Sequence, residues 1–234
     1  MERLSERDLM ILLILSGMFG AVLVYANISA GVKFIEFNIG LLSLIVPAGT
    51  IAYAITFAIT DIVDEVYGKK GALYIVWGGL AAELVMLLLI GVDKVLPPIE
   101  ADYAPPPELF DEVFSPQYRI VVASIAAYLV SQHHDVWAFW MWRKATGGRH
   151  LWLRNNASTI VSQLIDSAIF ITLAFGAPGA LGAVVNMIFS MWLAKVLIAL
   201  VDTPFVYLGV NLVSRVTGRV EFAGVLSNRV NGSQ

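Results

Sequence analysis

Acidic and basic side chains stand inside several stretches of this sequence that are otherwise apolar. Asp135, Asp166 and Lys195 lie well within such stretches, and Asp61 lies at the end of another. If the stretches cross a membrane, inserting each group costs about 2.5–3.5 kcal/mol even on a lenient scale, so each is expected to have a partner and to mark an ion or solute site. These four residues are therefore the first candidates for function.

Two of the candidate acids belong to a repeated pattern. Segments 131–135 and 162–166 both read Ser-Gln-x-x-Asp. In a helix, residues i and i+4 share a face, so each segment would present a hydroxyl and a carboxylate together, with the carboxamides of Gln132 and Gln163 a fraction of a turn away. Such groups can hold a planar, amide-like heterocycle through donors on its edge, and a carboxylate among them can also take up a proton.

Several other chemistries lack the residues they need. The chain has no cysteine, which excludes disulfides and thiolate catalysis. It has no nucleophile, zinc-protease or phosphate-loop motif, so we predict no enzyme activity and no cofactor. The adjacent His133 and His134 point to different faces of a helix and have no third ligand well placed, so no metal site is expected. The net charge of −3 and the lack of a basic stripe argue against nucleic-acid binding.

The elements that must carry these residues are membrane-spanning helices. Of 234 residues, 58% are hydrophobic and 14% are charged, against about 45–50% and 25% in soluble domains. Since a helix needs about 20 apolar residues to cross the hydrocarbon, we predict an all-α integral membrane protein, a six-transmembrane-helix bundle formed by a single membrane domain, residues 1–234. The predicted spans are 9–28, 40–60, 71–92, 120–142, 158–175 and 181–201. Pro204 removes a backbone donor, so a helix break is expected at 202–204 and an apolar interfacial tail over 204–213.

Positive charges are concentrated in alternate loops, with Lys33 as the exception. The positive-inside rule therefore places both termini in the cytoplasm (N-in, C-in) of a multi-pass protein of the cell membrane. At about 1.5 Å per residue, the four candidate charges then lie at one level, roughly 10 Å from the cytoplasmic edge. The cations that set this orientation are Lys69, Lys70, Arg143, Lys144, Arg149, Arg154, Arg215, Arg219 and Arg229.

Most candidates also have a purely structural explanation that the sequence leaves open. Asp166 and Lys195 could form a buried ion pair that only joins helices, and Asp61 with its acidic neighbours could be a solvated helix end. Arg154 could be an orientation signal or a lipid anchor, and Ser158 could be a helix cap. Glu83 is the single charged residue of its predicted span and has no assigned role.

Two groups of motifs resemble those of a known family. Residues 49–57 with 60–70, and residues 151–159 with Ser162-Gln163 and Asp166-Ser167, are similar to the two signatures of the queuosine-precursor transporters, also called the vitamin uptake transporter family. Further matches are Ala26-Asn27, Lys33, Ser131-Gln132 with Asp135, and Lys195 with Thr203-Pro204, so the similarity extends from about residue 24 to residue 207. His133-His134 departs from the pattern, because apolar residues are expected there.

The resemblance implies a solitary importer of a deazaguanine base such as cyano-deazaguanine, used to make queuosine or archaeosine. It also implies a six-helix fold similar to the substrate-binding subunits of energy-coupling-factor transporters. On this hypothesis Lys195 positions or neutralises an acid, and Asp61 with Glu65 gates the cytoplasmic side. The predicted substrate contacts are Gln132, Asp135, Gln163 and Asp166, with Arg154, Asn155 and Asn156 at the mouth of the fifth helix.

Two other functions stay open at this stage. The chain could be a binding subunit that depends on a partner ATPase module, which the family resemblance does not favour, or a membrane scaffold that moves no solute. The sequence also leaves open whether the chain forms a homo-oligomer, which deazapurine it prefers, which ion drives uptake, and whether segment 93–117 is a loop or a lid.

Overall fold

The fold is taken from a computed structural model. It describes residues 4–39, 42–99, 101, 104–145 and 151–218. The elements in chain order are α1 Glu6–Val32, β1 Phe34–Ile39, β2 Leu42–Pro47, α2 Gly49–Val95, α3 Glu108–Phe114, α4 Gln117–Ala145, α5 Leu151–Phe175 and α6 Leu181–Thr217.

Long apolar helices dominate the described part of the chain. Four stretches are long and apolar enough to cross a membrane, namely Glu6–Val32, Lys70–Val95, Glu108–Ser131 and Leu181–Ile198. Two shorter apolar helical stretches are Gly49–Val63 and Ile160–Phe175. Large apolar side chains cover their outer faces (Leu13 is 64% exposed), and such a surface suits lipid rather than water. The prediction of a helical membrane protein is confirmed in this general form.

A β-hairpin replaces the start of the predicted span 40–60. Strands β1 and β2 pair antiparallel, with Phe34 opposite Pro47 and Asn38 opposite Ser43, and helix α2 begins only at Gly49. On β2, Leu44 and Val46 are buried while Ser43 is exposed, which is the alternation of a strand with one covered face. Hydropathy alone misplaced the helix start, because a short apolar run fits a buried strand as well as a helix.

Gly68 separates the two parts of α2. Its φ of 74° and ψ of 174° interrupt an otherwise helical run, in a region of backbone space that glycine enters without steric cost. The second and third predicted spans are therefore joined at one non-helical residue, and the helix includes residues 61–67, which were expected to lie between spans.

Helix α6 continues through the predicted break at 202–204. It runs to Thr217 with Pro204 inside it, so the predicted break is wrong, while an interfacial position for residues 204–213 stays a prediction. A proline removes only one backbone donor, and apolar helices in membranes tolerate that loss where neighbours support the helix. Here the last turns are held because Val206, Val210 and Val213 pack in a buried cluster with Ile11 and Ile62.

Two further elements differ from the sequence expectation. Helix α3 lies within segment 93–117, and an ion pair of 3.2 Å between Lys94 Nζ and Asp111 Oδ1 joins it to α2. Helix α5 begins at Leu151, so Ser158 lies inside the helix and is not its cap.

The helices form two compact units. The first contains Met1–Tyr25, Ile51–Met86 and Ala199–Gln234, and the second contains Ala26–Thr50 and Leu87–Ile198. The core of the first unit is centred on Phe19, Ile59, Val63 and Ile75. The core of the second unit joins faces of α4, α5 and α6 to the hairpin residue Val46. Its buried members are Val46, Ile120, Ala123, Ala127, Phe170, Ile171, Ala174, Val184, Met191 and Ala194.

Gly49 allows close packing at the start of α2. A Cβ atom at this position would lie 2.0 Å from the backbone oxygen of Ala26 and 3.0 Å from the Cβ of Ala30. Because backbone atoms cannot move aside as a flexible side chain can, only glycine fits there.

We expect Gly49→Ala to lower the free energy of unfolding by about 1–3 kcal/mol, the usual cost of overpacking. The measurement is thermal unfolding of the purified protein in detergent. Gly182→Ala is the matched control, since a Cβ atom added at Gly182 would have no neighbour within 4 Å and alanine favours a helix by about 0.5–1 kcal/mol over glycine. Equal melting temperatures for the two variants would contradict the packing described for Gly49.

Candidate functional site

The two Ser-Gln-x-x-Asp segments lie against each other on α4 and α5. Ser131 Oγ donates a hydrogen bond of 3.3 Å to Asp166 Oδ1. His134 Nδ1 and Ser162 Oγ are 3.0 Å apart and share a second hydrogen bond. Ser131 thus contacts the last residue of the second segment, and Ser162 contacts the fourth residue of the first, as suits antiparallel neighbours.

Asp166 is also paired with a cation from a third helix. Its Oδ2 accepts a hydrogen bond from Lys195 Nζ on α6, and the side chains of Lys195 and Asp166 are only 5% and 13% exposed. Removing one partner from a buried ion pair typically costs about 3–5 kcal/mol, because the other charge is left uncompensated. The pair therefore ties α5 to α6 at the level where Ser131 ties α4 to α5.

His134 extends this polar contact on α4. Besides its bond to Ser162, its ring lies beside that of Trp137, with centroids 5.8 Å apart and planes at 50°. The sequence marked His134 only as a departure from the family pattern and gave it no role. This contact adds to the cluster an imidazole ring, whose nitrogens can donate or accept hydrogen bonds.

In the parts of α5 and α6 that belong to the second unit, three buried polar atoms have no hydrogen-bond partner among the described residues: Gln163 Oε1, Ser167 Oγ and Ser190 Oγ. Gln163 was predicted from the sequence as a substrate contact. Ser167 and Ser190 were not, although a serine on the buried face of an apolar helix is a signal that could have identified them.

The other predicted site residues fall in two groups, and Glu83, which has no predicted role, is considered with them. The side chains of Gln132, Asp135, Arg154, Asn155, Asn156 and Glu65 lie outside the described residues, although their backbones are helical. Asp61 lies on α2 in the first unit with an exposed side chain. Glu83 is buried in the same unit. Four charged residues were predicted to lie at one level of the membrane. Among the described residues, only Asp166 and Lys195 are seen together.

The arrangement suits recognition of a polar solute by hydrogen bonds. It combines a carboxylate, an ammonium group, a carboxamide and several hydroxyls on three helices that are otherwise apolar. Within the described residues, no three His, Asp or Glu side chains are grouped so that they could hold a metal ion. Ligand sites are commonly built in this way, with a few convergent polar groups set in apolar walls.

Comparison with known proteins places these residues in a family. The family model described as "Putative vitamin uptake transporter" matches residues 47–209. That range includes both Ser-Gln-x-x-Asp segments and Lys195, and it covers more than half of the chain.

A curated relative supports the same assignment. The "Probable queuosine precursor transporter" of Bacillus subtilis (strain 168) is 28% identical over 184 residues, which is 78% of this chain and 79% of the relative. No solved structure matches the chain. With its apolar helices and the match over residues 47–209, the chain is a multi-pass protein of the cell membrane that belongs to the vitamin uptake transporter family.

Proposed function

We propose that this protein imports a deazaguanine precursor of queuosine or archaeosine, such as cyano-deazaguanine, and that it does so without a partner ATPase. The observation that carries the proposal is the buried Asp166–Lys195 pair with Ser131 on neighbouring helices, in a chain from a transporter family. The printed name of the Bacillus subtilis relative supports the choice of substrate.

The chemistry of the substrate agrees with the groups available. A deazaguanine carries a ring N–H and an exocyclic amine as donors, next to a carbonyl acceptor. Carboxylate and carboxamide oxygens can accept from the donors, and hydroxyls can serve either kind of group. Gln163 and Asp166 supply such acceptors on one face of α5, since residues i and i+3 are neighbours on a helix.

The proposed topology has six crossings with both termini in the cytoplasm. The crossings are α1, the parts of α2 before and after Gly68, α4, α5 and α6. Lys69 and Lys70 then lie at the cytoplasmic turn, and Arg215 at the cytoplasmic end of α6, as the positive-inside rule requires. The β-hairpin and α3 would lie outside the cell.

The remaining site residues keep the roles inferred from the sequence. Gln132 and Asp135 on α4 are proposed as substrate contacts, and Asp61 with Glu65 as the cytoplasmic gate. The proposed residues at the mouth of α5 are Arg154, Asn155 and Asn156.

The first test is uptake of labelled cyano-deazaguanine into proteoliposomes that contain only this chain, with and without an imposed proton gradient. We expect uptake above that of empty vesicles, and a rise with the gradient if a carboxylate in the site carries a proton. Binding without uptake would favour a binding subunit that needs an ATPase module. Absence of both, in protein that remains folded, would favour the scaffold and contradict the proposal.

The second test asks whether the ion pair serves transport or only joins helices. Asp166→Asn should reduce uptake by about tenfold to a hundredfold, because a hydrogen bond to a charged group is worth about 1.5–3 kcal/mol. The double variant Asp166→Leu with Lys195→Met removes both charges and should largely retain stability, as apolar replacement of a buried pair often does. Its uptake should nevertheless be lost.

The control is the double variant Lys94→Met with Asp111→Leu, which removes an ion pair whose side chains are 33% and 67% exposed. Exposed pairs contribute only about 0–1 kcal/mol, so both stability and uptake should be close to those of the unmodified protein. Normal uptake by the apolar Asp166–Lys195 double variant would show that this pair is purely structural.

A further inference from the structure

Ser167 and Ser190 are the two described serines on α5 and α6 that are completely buried and whose hydroxyls are unpaired. Both side chains are 0% exposed, and neither Oγ has a hydrogen-bond partner among the described residues. Gln163 Oε1, on the same helix as Ser167, also lacks such a partner. Because an unpaired buried polar group costs free energy, it calls for an explanation such as a ligand or an ordered water molecule.

Other hydroxyls in the protein's helices make a hydrogen bond that Ser167 and Ser190 lack. Thr60 donates to the Phe57 carbonyl at 2.8 Å, and Thr217 donates to the Val213 carbonyl at 2.9 Å. This bond to the preceding turn is the usual partner of a serine or threonine inside a helix. Ser167 and Ser190 do not make it, which leaves their hydroxyls available to a different partner.

Ser167 follows Asp166 on α5, and Ser190 lies five residues before Lys195 on α6. On α5, Gln163 is a helical neighbour of both Asp166, at i+3, and Ser167, at i+4. Two contacts join α6 to α5: Lys195 with Asp166, and Trp192 with the Ile160 carbonyl. In an antiparallel pair they place Ser190 opposite a level between residues 162 and 171 of α5, so the two hydroxyls are within about 8 Å of each other along the helix axes.

The surroundings are apolar and include flat and polarisable groups. Phe170, Ile171, Met191 and Ala194 belong to the buried cluster that α5 and α6 share. Aromatic and thioether side chains contact planar rings favourably. Small-molecule sites usually consist of such apolar side chains with a few polar atoms that have no hydrogen-bond partner within the protein.

We propose that Ser167 and Ser190 are substrate-binding residues, and that the site extends from Asp166 and Gln163 along α5 and α6 to receive the polar edge of a planar heterocycle. A hydroxyl can donate to a ring carbonyl and accept from a ring N–H, so the two serines suit a base that alternates donors and acceptors. The inference rests on the proposed function, because it names further contacts for the same solute.

The test compares affinity with stability in the full-length protein. Ser167→Ala and Ser190→Ala should each weaken binding of cyano-deazaguanine about threefold to tenfold, the value of one hydrogen bond, when measured by calorimetry on purified protein. Since each change removes an unpaired buried group, the melting temperature without ligand should stay the same or rise. Ser167→Cys and Ser190→Cys, which keep the side-chain size and a weak donor, should bind with intermediate affinity.

Thr217→Val is the control, since the Thr217 hydroxyl is bonded to its own helix, and the affinity of this variant for cyano-deazaguanine should be unchanged.

Unchanged affinity in both alanine variants, with normal binding by the unmodified protein, would refute the inference and leave the proposed function standing. Retained affinity with loss of gradient-driven uptake would also refute it, because it would assign the hydroxyls to bound water on a proton route. A lower melting temperature that accounts for the weaker binding would mean a structural role. Failure of the unmodified protein to bind would overturn the proposed function itself.

Discussion

A charge in the interior of a membrane protein is stable only where another group compensates it, and this constraint organises the second unit. Asp166 is compensated by Lys195 on α6 and by Ser131 on α4, so one carboxylate fixes three helices at the same level. Apolar contacts among small and large side chains fill the remaining space, but such contacts are non-directional and could be made in several registers. The ion pair and its hydroxyl partner select one of them. The residue with the most direct claim to a functional role is thus also the one that specifies the local packing.

The polar atoms of this cluster differ in whether they have partners within the protein. Both oxygens of Asp166 have partners within the protein, whereas Gln163, Ser167 and Ser190 each present an atom without one among the described residues. Polar groups that bond to each other hold the helices together. Buried polar groups without a hydrogen-bond partner lower the stability of the protein when no ligand is bound. Sites that bind solutes commonly have this lower stability, because a site whose polar groups were all hydrogen-bonded within the protein could form no hydrogen bonds with a solute. On the proposed function, the groups without a partner are the ones available to a solute.

The sequence predicted the helical membrane architecture, and it offered the buried pairing of Asp166 with Lys195 as one alternative, because long apolar runs and charges within them leave strong signals. It failed where a signal depends on tertiary context. Residues 42–47 are apolar enough for a helix, yet they form a strand whose buried face packs on the α4–α6 core. Pro204 predicts a break only if nothing supports the following turns, and the packing of Val210 and Val213 supplies that support. Ser167 and Ser190 could be noticed as serines within apolar helices, but the lack of a partner for their hydroxyls could not be predicted, since pairing is a property of neighbours and not of residue type.

The reciprocal contacts between α4 and α5 also limit how these helices can move. The Ser131–Asp166 and His134–Ser162 hydrogen bonds occupy neighbouring turns of the same antiparallel pair. Sliding one helix past the other by a single turn, about 5.4 Å, would break both bonds together and carry Asp166 away from Ser131. A shear displacement within this pair is therefore costly. If a bound solute is exposed first to one side of the membrane and then to the other, a tilt of α4 and α5 together as one rigid body would be less costly.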